Sequence, residues 1–268
     1  MFARFAFVLA VLAALVASPV QALELKNVRP SYGHLGATRQ DATKFLPGDY
    51  LFISYDIDGL KLDDKNRASY TVLLEVFDAN AKEVFKKQTP TDVIPQLGSN
   101  RVPGDLHVIM GVDQPTGKYT VRLTVLDRLS KEVKSFTHAF ELLPKGFGVV
   151  GVLAPAVGFP ANPYMLQYNL VELGLDAAKK PNAKLEMKIF DETGKPVAPA
   201  VVNTYPADLP EGHDLSKKGN IIPIDFPILP NRPGRFTIDI TATDNVTQKT
   251  STVRYPVTIL DIPAISAK

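Results

Sequence analysis

Apolar and polar positions alternate along much of the chain. Tyr119, Val121, Leu123 and Val125 are separated by Thr120, Arg122 and Thr124, the period of two that belongs to strands with one buried face. Phe236, Ile238, Ile240 and Ala242 alternate in the same way with Thr237, Asp239, Thr241 and Thr243. Val72, Leu74 and Val76 show the pattern again, as do Leu185, Met187 and Ile189. Turn-forming residues punctuate these runs, at Asp78 to Lys82 and at Asp191 to Lys195 ahead of Pro196. Beyond the first 22 residues no helical period is sustained, and the prolines sit mostly between the runs. The pattern predicts antiparallel sheets, each wet on one face and packed over a core on the other.

The pattern also repeats. An offset of 113 residues carries Leu51–Ile57 onto Tyr164–Leu170, Leu60 and Leu62 onto Leu173 and Leu175, and Tyr70–Asp78 onto Ala183–Asp191. An offset of 117 then carries Gly117–Asp127 onto Gly234–Asp244. Apolar positions and turn residues are kept together and in order, which is the signature of a domain duplication. Two copies are too few for a solenoid. The expected fold is all-β: two tandem immunoglobulin-like antiparallel β-sandwiches after an N-terminal signal peptide.

The chain opens with that signal pattern: Arg4, an unbroken apolar run from Phe5 to Val16, a break at Ser18-Pro19, and Val20-Gln21-Ala22 at the cleavage position. The run is shorter than the roughly 20 apolar residues of a membrane span. Cleavage after Ala22 is expected, leaving no membrane span; an uncleaved anchor is the alternative. The expected division is residues 1–22 as signal peptide, 23–145 as the first sandwich and 146–268 as the second. Phe147 to Pro163 then holds the first strand of the second copy with its entry turn, packed well enough to dock the copies together.

Composition narrows the function. The 30 Lys+Arg nearly balance the 28 Asp+Glu, and no basic block is interleaved with aromatics, so nucleic acid is not an expected partner. The absence of cysteine removes thiol catalysis, iron–sulfur clusters and thiolate metal sites. It also fits an exported bacterial envelope protein better than a disulfide-dense secreted module.

The approach Asp113-Gln-Pro-Thr-Gly-Lys-Tyr119 into an alternating strand resembles the approach to strand F of immunoglobulin and fibronectin type III-like domains. That resemblance implies a Tyr119 hydroxyl bonded back to the preceding turn, and no such bond at Phe236 in the second copy. The cysteines and tryptophan of antibody domains are missing, so the chain is similar to exported bacterial proteins with tandem immunoglobulin/fibronectin type III-like domains. The resemblance specifies fold and implies no activity.

Candidate chemistry is sparse. Gly146-Phe-Gly-Val-Val-Gly151 matches a dinucleotide-binding pattern, but Pro155 and Pro160 forbid the helix that pattern requires. Asp56, Asp58, Asp63 and Asp64 gather carboxylates in nine residues, and Asp58, Asp63 and Asp64 form a calcium candidate. A solvated loop is the preferred reading, because a full oxygen ligand set is not met. His34, His107, His138 and His213 show no close pair in sequence and no metal-ligand spacing, and His138 is expected to pack on the apolar face. No nucleophile turn of the G-x-S-x-G type exists. No catalytic residue and no cofactor are expected. Tryptophan platforms for sugars are absent, leaving Tyr32 and Tyr205 as weak carbohydrate contacts.

The functional expectation is a non-enzymatic exported binding or scaffolding protein of the periplasm or cell surface. Its partner is expected to be a protein or an envelope glycan. A glycan-binding accessory of an envelope polysaccharide system is the alternative, with a hydrolase behind it. The segments Lys86 to Asp105 and Pro199 to Asn220 are the longest connections of the two copies, and hence the expected recognition surface or, equally, an edge strand in each.

Overall fold

A computed structural model describes residues 22–96, 99–205 and 221–261. Apart from Ala22, the expected signal peptide lies outside the described residues, as do Gly98, His213 and most of Pro199 to Asn220. The described chain is all-β. The first copy comprises β1 (Glu24–Ser31), β2 (Lys44–Phe45), β3 (Tyr50–Asp58), β4 (Ala68–Asp78), β5 (Glu83–Val93), β6 (Val102–Ile109), β7 (Gly117–Asp127) and β8 (Val133–Leu142). The second comprises β9 (Gly148–Leu153), β10 (Tyr164–Val171), β11 (Ala183–Asp191), β12 (Val201–Tyr205), β13 (Ile222–Ile228), β14 (Gly234–Asp244) and β15 (Lys249–Ile259).

Each copy packs a three-stranded sheet on a larger one. In the first, β1-β3-β6 faces β2-β8-β7-β4-β5. In the second, β9-β10-β13 faces β15-β14-β11-β12. The strand order is the same in both, which makes the duplication one of topology as well as sequence. Even the parallel contact of β2 with β8, Phe45 opposite Leu142, returns as the parallel bridge of Gly158 with Ile259. These are two tandem immunoglobulin-like β-sandwiches.

Alternation builds the cores. In the first copy Leu51, Ile53, Tyr55 and Ile57 of β3 pack toward Val121, Leu123 and Val125 of β7. In the second, Leu166, Tyr168 and Leu170 of β10 meet Ile238, Ile240 and Ala242 of β14. The prolines found inside strands are Pro30, Pro90, Pro103, Pro223, Pro227 and Pro256, and each lies on an edge strand. A proline has no N–H to give a ladder, so a central strand would lose a hydrogen bond there.

The turns are duplicated down to their aspartates. The Asp78 carboxylate accepts the amides of Asn80 and Lys82, and Asp191 accepts those of Thr193 and Lys195. Asp63 accepts Lys65 and Arg67, and Asp176 accepts Ala178 and Lys180. Asp127, fully buried at the end of β7, accepts the amides of Lys61, Leu129 and Ser130. Asp244 takes the same place at the end of β14, accepting Gly174, Val246 and Thr247. Short side chains that bond their own turn favour that turn over continued extension.

The two approaches to strand F differ as one residue dictates. The Tyr119 hydroxyl donates to the Pro115 carbonyl at 2.5 Å. At Phe236 there is no hydroxyl, and the Arg232 guanidinium lies 4.9 Å from the ring centroid instead. Removing the one hydroxyl isolates its contribution. Tyr119→Phe is expected to lower stability by about 1 kcal/mol, the net worth of a typical hydrogen bond, read as a reduced urea midpoint at unchanged m-value.

The two sandwiches meet across a packed joint. Tyr32, in the turn after β1, belongs to the core of the second copy and packs its ring, tilted by 57°, with its centroid 5.1 Å from that of Tyr255. Arg39 lies against the rings of Tyr32 and Phe45 and grips Asp49 with both terminal nitrogens, at 2.7 and 3.2 Å. The same Asp49 carboxylate accepts the amide of Gly151 in β9, at 2.9 Å. Gly151 has φ +61°, and a Cβ there would lie 2.8 Å from Asn169 and 3.1 Å from the Tyr50 ring. A Cβ on Gly148 would lie 2.3 Å from Leu46. From Gly148 onward the glycine-rich run that imitates a nucleotide motif is therefore strand β9, and Gly148 and Gly151 admit the first sandwich at close range.

Candidate functional site

The expected recognition segment Lys86 to Asp105 is more regular than a long connection. Its first part belongs to β5 and its last residues open β6, so the equal alternative, an edge strand, is what the chain forms. Strand β5 shows no alternation because every residue from Glu83 to Pro90 is exposed. Its order comes from backbone pairing along β4, with Tyr70 opposite Thr91 and Val76 opposite Phe85.

Both β5 and β6 are edge strands, one in each sheet, and they flank the same opening. Between them lies a groove of about 1140 Å³. Tyr70, Val72 and Leu74 line its floor, Phe85 one wall, and Leu106 and Val108 the other. Burial raises the pKa of the Tyr55 and Tyr70 phenols, so both line the groove as neutral hydroxyls. Lys82, Lys87 and Lys118 stand at its rim with Asp78.

The two edges are not equivalent. Strand β5 carries Lys86, Lys87 and Pro90, residues that blunt an edge against further pairing. In β6 the residue after the strand, Met110, turns both its N–H and its C=O toward Asp49 and Gly48 at the entrance of β3. By alternation, Ile109, His107 and Asp105 turn theirs outward, and Pro103 fits the same outward series. Three consecutive outward backbone pairs thus border the groove. The matching edge of the second copy, β13, places Pro223 and Pro227 in one series with Asp225 and lacks two of its donors.

A cluster of side chains sits on the outer side of this edge. Asp105 and His107 are alternate residues of β6 and so project from one face, opposite Ser54 and Phe52 of β3. The turn after β1 lays His34 over them. Its Nδ1 is 2.7 Å from the Asp105 carboxylate, and its ring lies 5.8 Å from that of His107. The Phe52 ring backs both imidazoles, at 5.1 and 5.3 Å. His34 and His107 form no close pair in sequence, but a strand pairing and one tight turn bring them together in space. The legible trace was Asp105-Leu-His107, whose spacing places two ligand types on one face of a strand.

The calcium candidate does not assemble. Asp58 is taken by the Lys26 ammonium at 2.6 Å and by the Gly59 amide, and Asp63 by Arg67 and two turn amides. Asp56 is held by Arg101 and by Asn27. Asp64 is exposed. Their pKa directions agree with their partners: the hydrogen bond from Lys26 lowers Asp58, and the Arg67 amide lowers Asp63. Among the described residues the one group of three donors within ligating reach is His34, Asp105 and His107.

The remaining sequence candidates are structural in position. His138 is half-buried, with Nε2 2.6 Å from the Ala42 carbonyl. Tyr32 lies in the joint, 3% exposed, and Tyr205 packs against the second core, so neither offers a sugar an open ring face.

No family model and no curated protein matches the chain. Among the solved structures similar to it, three illustrate the low identity. Red sea bream transglutaminase aligns at 9% identity and a TM-score of 0.27, covering 89% of this chain and 31% of that one. Dimeric latent PorU from Porphyromonas gingivalis aligns at 11% and 0.38, covering 91% and 21%. Escherichia coli alpha-2-macroglobulin activated by porcine elastase aligns at 12% and 0.30, covering 91% and 22%. The chain thus spans less than a third of each of those proteins. No helix among the described residues is long and apolar enough to cross a membrane.

Proposed function

We propose that the protein is a non-enzymatic binding module of the bacterial envelope that takes an extended segment of a partner protein as an added strand along β6. The observation that carries this reading is the outward backbone series Asp105, His107 and Ile109 beside an apolar groove. Strand addition draws affinity from main-chain hydrogen bonds and specificity from pockets for alternate side chains. The segment this edge suits is extended, with apolar residues at every second position to lie against Leu106, Val108 and Phe85. Its intervening residues face Asp105 and His107. Export to the periplasm or cell surface rests on the signal-like first 22 residues and the lack of cysteine.

A photoreactive residue at Phe85 in the cell envelope tests the site. Crosslinking is expected to capture one protein through a contiguous extended segment. A synthetic peptide of that segment should bind the purified protein, and Ile109→Pro should weaken it at least tenfold by removing an outward N–H. Ile94→Glu, at an exposed residue beyond the end of β5, should leave binding unchanged. Equal binding by Ile109→Pro would exclude strand addition. A bait retained by insoluble wall without a protein partner would transfer the reading to glycan.

A further inference from the structure

We propose that His34, Asp105 and His107 bind a divalent late first-row transition cation, with zinc as the probe. The donor set is two imidazoles and one carboxylate, and their ligand atoms all lie within 4.8 Å of one another. Ligands sharing a tetrahedral zinc at about 2.1 Å sit roughly 3.4 Å apart, so closure asks for about an ångström of side-chain adjustment. The side chains have that freedom, since that of His34 is 69% exposed. Imidazole nitrogens suit zinc, copper and nickel, whereas calcium and magnesium prefer oxygen alone.

The backbone beneath the site is held in advance. Asp105 and His107 are fixed by the pairing of β6 with β3. The turn that carries His34 is closed by the Tyr32 amide on the Ala37 carbonyl at 2.8 Å and by a bridge between Ser31 and Thr38. It is tied to β1 by the Ser31 hydroxyl on the Gly33 carbonyl, at 3.0 Å. Gly33 takes φ +76° and Leu35 φ +50°, so the turn adopts left-handed backbone on either side of His34. A Cβ on Gly36 would lie 1.9 Å from the Tyr32 carbonyl oxygen, so no larger residue fits there. Anchored at Tyr32 in the second core, the turn presents His34 from the joint itself.

Packing alone gives an incomplete account of the cluster. Two imidazoles and a carboxylate converge on the exposed side of the sheet, with the Phe52 ring behind them excluding water from one side. Three protein ligands leave a fourth position open to water or to a donor from another molecule, the layout of an accessible rather than a closed metal site. The inference is independent of strand addition along β6, and its test contains no partner.

Calorimetric titration of the purified, signal-free chain with zinc chloride decides it. One zinc per chain with a dissociation constant of about 10 µM or tighter is expected. His34→Ala and His107→Ala should each weaken binding at least tenfold. His107→Cys, which restores a ligand of a different kind, should recover it. His138→Ala and His213→Ala should bind as the parent does. Cobalt titration should give visible d–d bands that vanish in the His34→Ala/His107→Ala double variant. Thermal melts without metal should be unchanged, since both histidines are exposed. No zinc bound at roughly 100 µM free metal, or undiminished binding by the double variant, would overturn the proposal.

Discussion

Asp49→Ala is expected to destabilise the protein by about 3–5 kcal/mol, the largest single-residue loss in the first sandwich outside its hydrophobic core. The carboxylate is 5% exposed and the Arg39 side chain that it neutralises is 9% exposed. Removing it leaves a buried guanidinium between two aromatic rings with only the largely exposed Asp41 carboxylate, at 3.2 Å, and the Tyr50 carbonyl to offset its lost hydration. It also leaves the amides of Tyr50 and Gly151 without their acceptor. Because the Gly151 amide belongs to the second copy, the loss reaches the joint as well as the first core. Urea unfolding at neutral pH measures it. The paired replacement Arg39→Met/Asp49→Leu should recover the part of the loss that comes from the unpaired charge, because an apolar pair of similar volume needs no hydration. It should keep the part that comes from the Tyr50 and Gly151 amides. A single variant as stable as the parent would show that the ion pair contributes no more than a surface pair.

The second large effect lies at the duplicated aspartates. Asp127→Asn and Asp244→Asn are each expected to cost about 2–3 kcal/mol at neutral pH, the scale of hydrogen bonds made to a buried charge. Burial pushes the Asp127 carboxyl up, but the amides of Lys61 and Leu129 and the amide and hydroxyl of Ser130 outweigh it and hold the pKa below the ordinary aspartate value. Burial acts on Asp244 in the same direction and is outweighed by the Thr247 hydroxyl and the amides of Gly174, Val246 and Thr247. A depressed folded-state pKa means that the unfolded chain binds the proton more readily. The stabilisation is therefore complete above the unfolded value, about 3.9. It is lost as pH falls through the folded one. Denaturant midpoints taken from neutral pH down to pH 3 should show the parent losing stability and the double asparagine variant losing less. Parallel curves would contradict the assignment.

The sequence carried the fold where burial has a period. Val121, Leu123 and Val125 or Ile238, Ile240 and Ala242 alternate because one face of a central strand is dry and the other wet. The duplication was legible for the same reason, and so was the place of Tyr119. Strand β5 was not, because solvent touches both of its faces and its order comes from backbone pairing that no side-chain pattern records. The Arg39–Asp49 joint was hidden too: its members lie ten residues apart in a connecting segment, and their meaning depends on Gly151 arriving from the other copy. The candidate site divides likewise. Asp105 and His107 share a strand face by spacing alone, while His34 stands 71 residues from Asp105 and joins it only through the turn pinned by Tyr32. Three of the four carboxylates of the acidic run, Asp56, Asp58 and Asp63, are paired with Arg101, Lys26 and Arg67, cations from three separate segments.

Strand addition requires the open edge of β6, and amide hydrogen exchange tests that edge directly. The captured partner segment is added as a peptide, and exchange is followed at Asp105, His107 and Ile109. Strand addition predicts that all three amides slow together by at least tenfold in the complex, while exposed turn amides of the second copy such as Glu192 keep their free rates. Binding that leaves those three amides unchanged, or protects β12 and β13 instead, would contradict it.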